Sequence, residues 1–432
     1  MVNDTAAEPD ARSPERADPD FRRYLTARVV AVAGGLVATV ALPVLVYQLT
    51  GSPAWSAAVA AAEALPYLLF GLVAGALADR VDRRRIMVAA DLAGAVLLAT
   101  LPAAWFLGGL TAGHVLAVAF CVQTLFVLFD AANFGALPTL VGRARLTSAY
   151  AGVYGATTLV ELLVPPLAGL AVAIVSPAPL IALNALTAVA SALLIRAIVR
   201  PLSAPPEARP PARRAAAELR ADIAAGLGFL WRDRIVRTLT LVGTTHAVAS
   251  GAWVAMLVPW ADRVLGVSAS GDPRIAVLFG CWGVGGLLAS RIVTPLSRRL
   301  GPARLALAAL PASLLCGLAV VAGSHWLLAA AGAVAWGAAY STVVINAVTY
   351  RQQVSPDHLQ SRVNTTARML SWGLGQPLGA GLAGAVAVTS LGPRGGLAAG
   401  VAVLAVGVLL AWLSPLRAEA RRPVPAPETA SA

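Results

Sequence analysis

Apolar residues in this chain fall in repeated blocks of about 18 to 26, close to the roughly 20 residues that carry a helix across a hydrocarbon core of about 30 Å. Short polar joints separate the blocks. The pattern predicts twelve spans, at 24–49, 54–78, 86–107, 112–138, 147–174, 177–198, 235–260, 272–294, 303–321, 325–349, 360–390 and 394–414. The turns near Ser176–Pro179 and Leu391–Gly395 are the shortest. The expected fold is an all-α membrane protein of twelve transmembrane helices in two six-helix halves. Residues 1–23 and 417–432 read as disordered cytoplasmic tails, because they are polar and mixed in charge. The first half is then 24–198, a cytoplasmic linker is 199–234, and the second half is 235–416.

The linker opens with "RPLSAPPEARPPARR", too rich in proline for regular helix. It continues with helical spacing, where Leu219, Ile223, Leu227 and Leu230 form one apolar stripe. An interfacial helix beneath the bundle is expected. An internal repeat supports the division. Val141, Leu146 and Ser148 match Val354, Leu359 and Ser361 at an offset of 213, and Arg80 and Arg85 match Arg299 and Arg304 at 219. Both offsets lie near half of the 432-residue length. Duplicated halves are how many secondary transporters place a central site between two moving parts.

Composition changes the picture little: 58% of residues are hydrophobic and 12% charged, with a mean hydropathy of +0.75. The net charge of +12 would suit nucleic acid if it were spread on one surface. The arginines instead cluster in alternate joints. Those after spans two, four, eight and ten hold Arg80, Arg83, Arg84, Arg85, Arg143, Arg145, Arg298, Arg299, Arg304, Arg351 and Arg362, while the others hold only Arg263, Arg274 and Arg394. The bias puts the rich joints, both termini and the linker in the cytoplasm. No nucleic-acid partner is expected; the partners are membrane lipid, a small molecule and protons. Cys121, Cys281 and Cys316 have no ligand spacing, so neither a metal site nor a disulfide is predicted.

The joint "GALADRVDRRRIM", Gly75 to Met87, resembles the signature loop between spans two and three of the major facilitator superfamily. Gly75, Leu77, Asp79, Arg80, Arg83, Arg84 and Arg85 fit that pattern, and Asp82 replaces its usual second glycine. The form "ADRVDRRRIM" is similar to the branch holding bacterial drug exporters and the enterobactin exporter. The resemblance covers nearly all of Tyr24 to Leu416. It implies that Asp79 interacts with cytoplasmic helix ends of the second half and favours the outward-open state, while the arginines hold the halves in register. A carboxylate near a helix N-terminus gains about 0.3–1 kcal/mol, enough to bias a two-state equilibrium. The alternative is that the arginines only fix topology. Exporters of the family tend to carry a glycine-proline motif in span five. Here "VPPLAGL" supplies Pro166 and Gly169, with Pro165 where glycine is usual, and "GQPLGAGLAG" supplies Pro377 and Gly381 in the second half. Small residues permit close helix approach. The family's span-four arginine is absent, since "LFDAANF" stands in its region.

Ionisable groups inside a span are costly and ask for a role. Four acids qualify: Glu63, Asp91, Asp130 and Glu161. For Asp91, about a turn into span three, pairing with the nearby arginines is the structural reading, beside a role in transport. Asp130, Glu161 and Glu63 are the proton-coupling candidates, with buried structural pairing as the other reading of each. Gln123, Asp130 and Asn133 share one face of span four. His246 and Trp253 in span seven, and Tyr340 and Asn346 in span ten, are candidate cavity residues for an amphipathic cargo. Each is otherwise packing or an interface anchor. Tyr47 and Gln48 stand near the outer end of span one. No GxxxxGK[ST] stretch signals an ATPase, no nucleophile or metal cluster signals an enzyme, and no cofactor is expected.

The sequence thus predicts a bacterial inner-membrane secondary exporter of small amphipathic, drug-like or siderophore-like molecules, by proton antiport, working as a monomer. Uptake or lipid translocation by the same fold is the first alternative; a non-transporting sensor or scaffold is the second.

Overall fold

An aspartate and a glycine bracket each of two 32-residue helices. In α1 (Pro19–Thr50) the Asp18 carboxylate accepts from the backbone N–H groups of Asp20 and Phe21, and Gly51 ends the helix at φ +59°. In α7 (Arg234–Leu265) Asp233 accepts from Ile235 and Val236, and Gly266 ends it at φ +63°. Both devices satisfy orphan groups at helix ends, and all four residues repeat at an offset of 215. The computed structural model describes residues 18–421 apart from 79, 143–144, 204–220, 222–223, 226, 270–271, 356–362 and 364–365.

Between these two helices lie α2 (Pro53–Ala78), α3 (Arg83–Phe106), α4 (Ala112–Val141), α5 (Leu146–Ile174) and α6 (Pro177–Arg196). After α7 come α8 (Arg274–Leu300), α9 (Pro302–Ala322), α10 (Trp326–Val354), α11 and α12 (Gly392–Trp412). Eleven of these helices, α1 to α10 and α12, are long and apolar enough to cross a membrane. In α11 a π-helical stretch, Met369–Gly375, runs into α-helical Gln376–Ala387. A last turn, α13 (Leu416–Glu419), buries Leu416. The chain is therefore an all-α, multi-spanning membrane protein. Internal prolines such as Pro66, Pro138 and Pro259 leave their helices continuous, as membrane-spanning helices permit.

Packing repeats between the halves. α1 packs chiefly on α6 and α5, whereas α4 packs on α3 and α2. Likewise α7 packs on α12 and α11, and α10 on α8 and α9. Each half thus contains two three-helix units that exchange partners. Buried clusters differ between the two membrane faces. On the face opposite the arginine-rich joints, one core joins Ala57 and Ala60 to Trp253, Trp260 and Val401, and another joins Val44 and Ile181 to Val258 and Ala269. On the arginine-rich face, one core holds only first-half and linker residues, from Phe21 to Leu202, and another only second-half residues, from Leu239 to Leu416. Among the described residues, apolar burial joins the halves at one face and keeps them apart at the other.

Several boundaries move. Residues 18–23, expected in a disordered tail, begin α1, because Asp18 caps it and Arg200 pairs with that carboxylate. The linker stripe is partly visible. Leu230 is fully buried with Val236, Val363 and Ala367, Leu227 is exposed, and Leu219 and Ile223 lie outside the described residues.

Candidate functional site

In the first half, polar side chains from α1, α2 and α4 converge at one depth. Tyr67, on the face of α2 that carries Glu63 one turn earlier, donates its hydroxyl to a carboxylate oxygen of Asp130. One turn along α4, the Asn133 amide oxygen accepts from the Tyr24 hydroxyl at 2.6 Å. Arg28 of α1 stacks 5.5 Å from the Phe129 ring centroid and acts electrostatically on Tyr24, Tyr67 and Asp91. Arg368, at the start of α11, sits 5.4 Å from the Tyr67 ring centroid. Asp91 lies beside Ser191 of α6, so its neighbours are in the helix bundle. Gln123 and Glu63 are half-buried, and Glu161 of α5 is exposed. The structure gathers Asp130 and Asn133 into one network and leaves Glu161 outside it.

The second half presents aromatic rings instead. Trp253 of α7 stacks on Trp282 of α8 at 5.4 Å and meets Trp336 of α10 edge-on at 5.6 Å. Trp282 also contacts Trp336 at 4.9 Å and Tyr340 at 5.0 Å, and Tyr340 meets His246 at 5.6 Å. Such rings carry large apolar area with an electron-rich face. His246 is fully buried. Its Nδ1 lies 3.1 Å from the Val242 carbonyl, and its Nε2 has no hydrogen-bond partner among the described residues. His246, Trp253 and Tyr340 thus come together. Asn346 does not join them: buried, it donates to the Pro302 carbonyl at 2.9 Å, tying α10 to α9.

The arginine-rich joint docks on its own half. Arg83 donates to the Gly135 carbonyl at 2.9 Å, to Thr139 at 3.2 Å and to the Leu202 carbonyl at 3.5 Å. A Cβ at Gly135 would lie 2.3 Å from the Arg83 guanidinium carbon, so glycine makes room for that side chain. Arg84 donates to the Arg200 carbonyl at 2.6 Å. Asp82, in the place of the usual glycine, caps α3 by accepting from the Arg85 N–H at 3.0 Å. These bonds fix the joint to α4 and the linker. Asp79 lies outside the described residues, Gly75 has open space around it, and Arg85 is exposed.

At the opposite face the halves meet through small residues. A Cβ on Gly169 of α5 would lie 2.5 Å from the Ala276 Cα of α8, and one on Gly280 would lie 2.8 Å from Pro166. The matching contact joins Gly384 of α11 to Ala57 of α2, where a Cβ would meet Ala57 Cβ at 2.5 Å. Gly384 stands 215 positions after Gly169, and Ala276 stands 219 after Ala57. Gly381 has open space; the close contacts of α11 with α7 belong to Gly375 and Gly379 beside Pro377. Nearby, Tyr47 donates to Asp262 at 2.8 Å across a separation of 215 residues, Arg263 donates to Tyr47 at 3.2 Å and to the Gly51 carbonyl, and Gln48 donates to the Ala269 carbonyl at 2.7 Å.

Sequence reading missed Tyr67, Arg28, Arg368, Trp282 and Trp336. Two arginines inside spans are a readable signal, but a count of the arginines in the joints passes over them. An apolar groove of about 570 Å³ lies between α2 and α4 around Ala61, Leu65 and Phe120, and includes no candidate residue. Among the described residues, no group of three His, Cys, Asp or Glu side chains could hold a metal.

Comparison with known proteins agrees with this architecture. The family model described as Major Facilitator Superfamily matches residues 24–372. A multidrug efflux pump, Tap, of Mycobacterium tuberculosis is 33% identical over 231 residues, covering 51% of this chain and 53% of that protein. Its namesake from Mycolicibacterium fortuitum is 31% identical over 239 residues, covering 54% and 56%. The matched region thus spans about half the length of these relatives. Among solved structures, the nucleoside transporter NupG has a TM-score of 0.70 at 12% identity, covering 94% of this chain and 100% of that one. A bacterial homologue of the iron transporter ferroportin in an inward-facing state has a TM-score of 0.66 at 14% identity, covering 93% and 99%. At such identities the likeness is one of fold.

Proposed function

The chain belongs to the major facilitator superfamily, and we propose that it is a secondary transporter exporting small amphipathic molecules in exchange for protons. It crosses the bacterial inner membrane twelve times in two six-helix halves, with α11 as the remaining crossing and both termini in the cytoplasm. The observation that carries the reading is a division of chemistry: a first-half carboxylate, Asp130, held by Tyr67 among arginines, and a second-half aromatic cluster around Trp282 and Tyr340. The charged network suits reversible protonation, and the rings suit a cargo with apolar and polar parts. The name of the Tap relatives, multidrug efflux pumps, supports export.

The arginine bias makes the arginine-rich face cytoplasmic. The halves meet at the opposite face, so the arrangement is inward-open, the state in which an exporter loads cargo. In the outward-open state Asp130 takes a proton from outside. On return to the inward-open state it releases that proton to the cytoplasm. Arg83 and Arg84 hold the cytoplasmic ends of the first half as one body during this cycle, and Asp79 acts at the boundary with the second half. Lipid surrounds the bundle, and one chain suffices.

Proteoliposomes with an imposed pH gradient test the proposal. Extrusion of a cationic dye should follow the gradient and fall at least tenfold in Asp130→Asn, about 1.4 kcal/mol of lost coupling. Glu161→Gln and Glu63→Gln measure the other two carboxylates. Flux indifferent to the gradient would overturn antiport, and flux unchanged in all three variants would overturn the carboxylate assignment. Gradient-driven accumulation in the reverse sense would indicate uptake.

A further inference from the structure

The coupling network is not confined to one half. Arg368 belongs to α11, yet its guanidinium lies over the ring of Tyr67 in α2, 5.4 Å from the centroid, while the Tyr67 hydroxyl is committed to Asp130 in α4. A cation over an aromatic face is attracted by the ring quadrupole. The chain therefore runs from Asp130 through Tyr67 to a charge on the other half. Directly after Arg368 the helix becomes π-helical, Met369–Gly375. Such segments are rare and concentrate at functional sites. This one is wedged between the halves. A Cβ on Gly373 would lie 3.3 Å from Leu68, the neighbour of Tyr67, and one on Gly375 would lie 2.8 Å from Ala247 of α7. Arg368 itself is exposed, so its contact with Tyr67 is not enforced by burial.

We propose that Arg368 is a positioning residue through which the packing of α11 on α2 senses the charge of Asp130. With Asp130 ionised, its carboxylate accepts the Tyr67 O–H, and Arg368 is drawn toward the pair. When one proton binds the carboxylate, no group leaves, the negative charge disappears, and the attraction to Arg368 across Tyr67 is lost. The tie between α2 and α11 then weakens. Among the described residues, the other groups linked electrostatically to this network belong to the first half: Arg28 and Tyr24 on α1, Asp91 on α3, and Tyr150 on α5, which acts on Tyr24. None of these reports on the position of the second half. The inference rests on Asp130 being the coupling carboxylate.

The test uses the full chain in lipid nanodiscs, without cargo, with spin labels on the arginine-rich ends of α2 and α11 and distances measured from pH 5 to 9. Wild type should show a separation that titrates as one proton. Arg368→Gln should lose the titration, and Arg368→Lys, which keeps the cation, should retain it. Tyr67→Phe keeps the ring and removes the hydroxyl that joins it to Asp130, and should move the midpoint. Arg368→Gln titrating as wild type does would overturn the inference. So would an unmoved midpoint in Tyr67→Phe, which decides the matter if Arg368→Gln does not fold. A wild type without titration, or Asp130→Asn that still titrates, would overturn the coupling role of Asp130 itself.

Discussion

A single side chain can be argued most cleanly where it lies outside the membrane. Asp272 precedes α8 and accepts from the Arg274 guanidinium at 2.6 Å and from the Arg274 N–H at 2.9 Å. The hydrogen bonds from the Arg274 side chain, foremost, hold its carboxyl below the usual 3.8. A depressed folded-state value means that the carboxylate stabilises the fold above about pH 4 and that this contribution disappears as pH falls through the lower folded value. Asp272→Asn should therefore melt earlier than wild type at pH 7, by about 1 kcal/mol of stability. The two proteins should converge in melting temperature as the medium is acidified through the depressed folded-state value; a gap that persists once the carboxyl is protonated in both states would contradict the argument. The same scale shows what a sequence conceals. Asp130 stands out as a lone acid in an apolar block, but its partner Tyr67 lies 63 residues away, and Arg368 lies in the other half. Only folding brings them together. Asn346 shows the converse: its spacing in α10 fits a cavity wall, yet its amide donates to the Pro302 carbonyl of α9.

Helices were the readable level. Span length and the hydrocarbon thickness leave few choices, and eleven of the twelve predicted spans each overlap one described, uninterrupted α-helix. α8 continues to Leu300, six residues beyond its predicted end, because Arg298 and Arg299 extend it into the polar face. The break in α11 was not readable. A π turn differs from an α turn by one residue of hydrogen-bond register, and "MLSWGLG" carries no compositional mark of it. Glycine spacing was readable only in part. Gly169 and Gly381 look alike in sequence, but one faces backbone at 2.5 Å and the other faces open space. That contrast gives an element-level prediction. Gly169→Val forces α5 away from α8, since the contacted atom is the Ala276 Cα and cannot rotate aside. The cost should be about 1–3 kcal/mol of overpacking. Gly384→Val should disturb the α11–α2 contact similarly, whereas Gly381→Ala should stay within about 0.5 kcal/mol of wild type. Thermal melting of the three purified variants checks the order; equal losses at Gly169 and Gly381 would refute the packing account.

For the whole molecule, the duplicated halves meet around an approximate two-fold relation. Tyr47 and Asp262 occupy equivalent positions, 215 residues apart, at the ends of the equivalent helices α1 and α7. A contact between equivalent positions lies near the symmetry axis of a self-complementary interface. The surrounding bonds are not symmetric: Arg263 reaches Tyr47 and the Gly51 carbonyl, while Gln48, its counterpart, reaches the Ala269 carbonyl. The repeat supplies the meeting place, and the residues that differ between the halves supply the clamp. Because the cores on this face already cross between the halves, the clamp does not hold the molecule together by itself. It sets the balance between closed and open at this face. A hydrogen bond to a charged partner is worth about 1.5–3 kcal/mol, so removing the Tyr47 hydroxyl should shift that balance toward the open form by about tenfold or more. Tyr47→Phe changes no ring contact, which keeps the prediction specific to the clamp. Spin labels on the α1–α2 and α7–α8 turns should then report a larger population of long distances across the opposite face. A distance distribution in Tyr47→Phe identical to that of wild type would mean that the small-residue contacts at Gly169 and Gly384 alone keep this face shut.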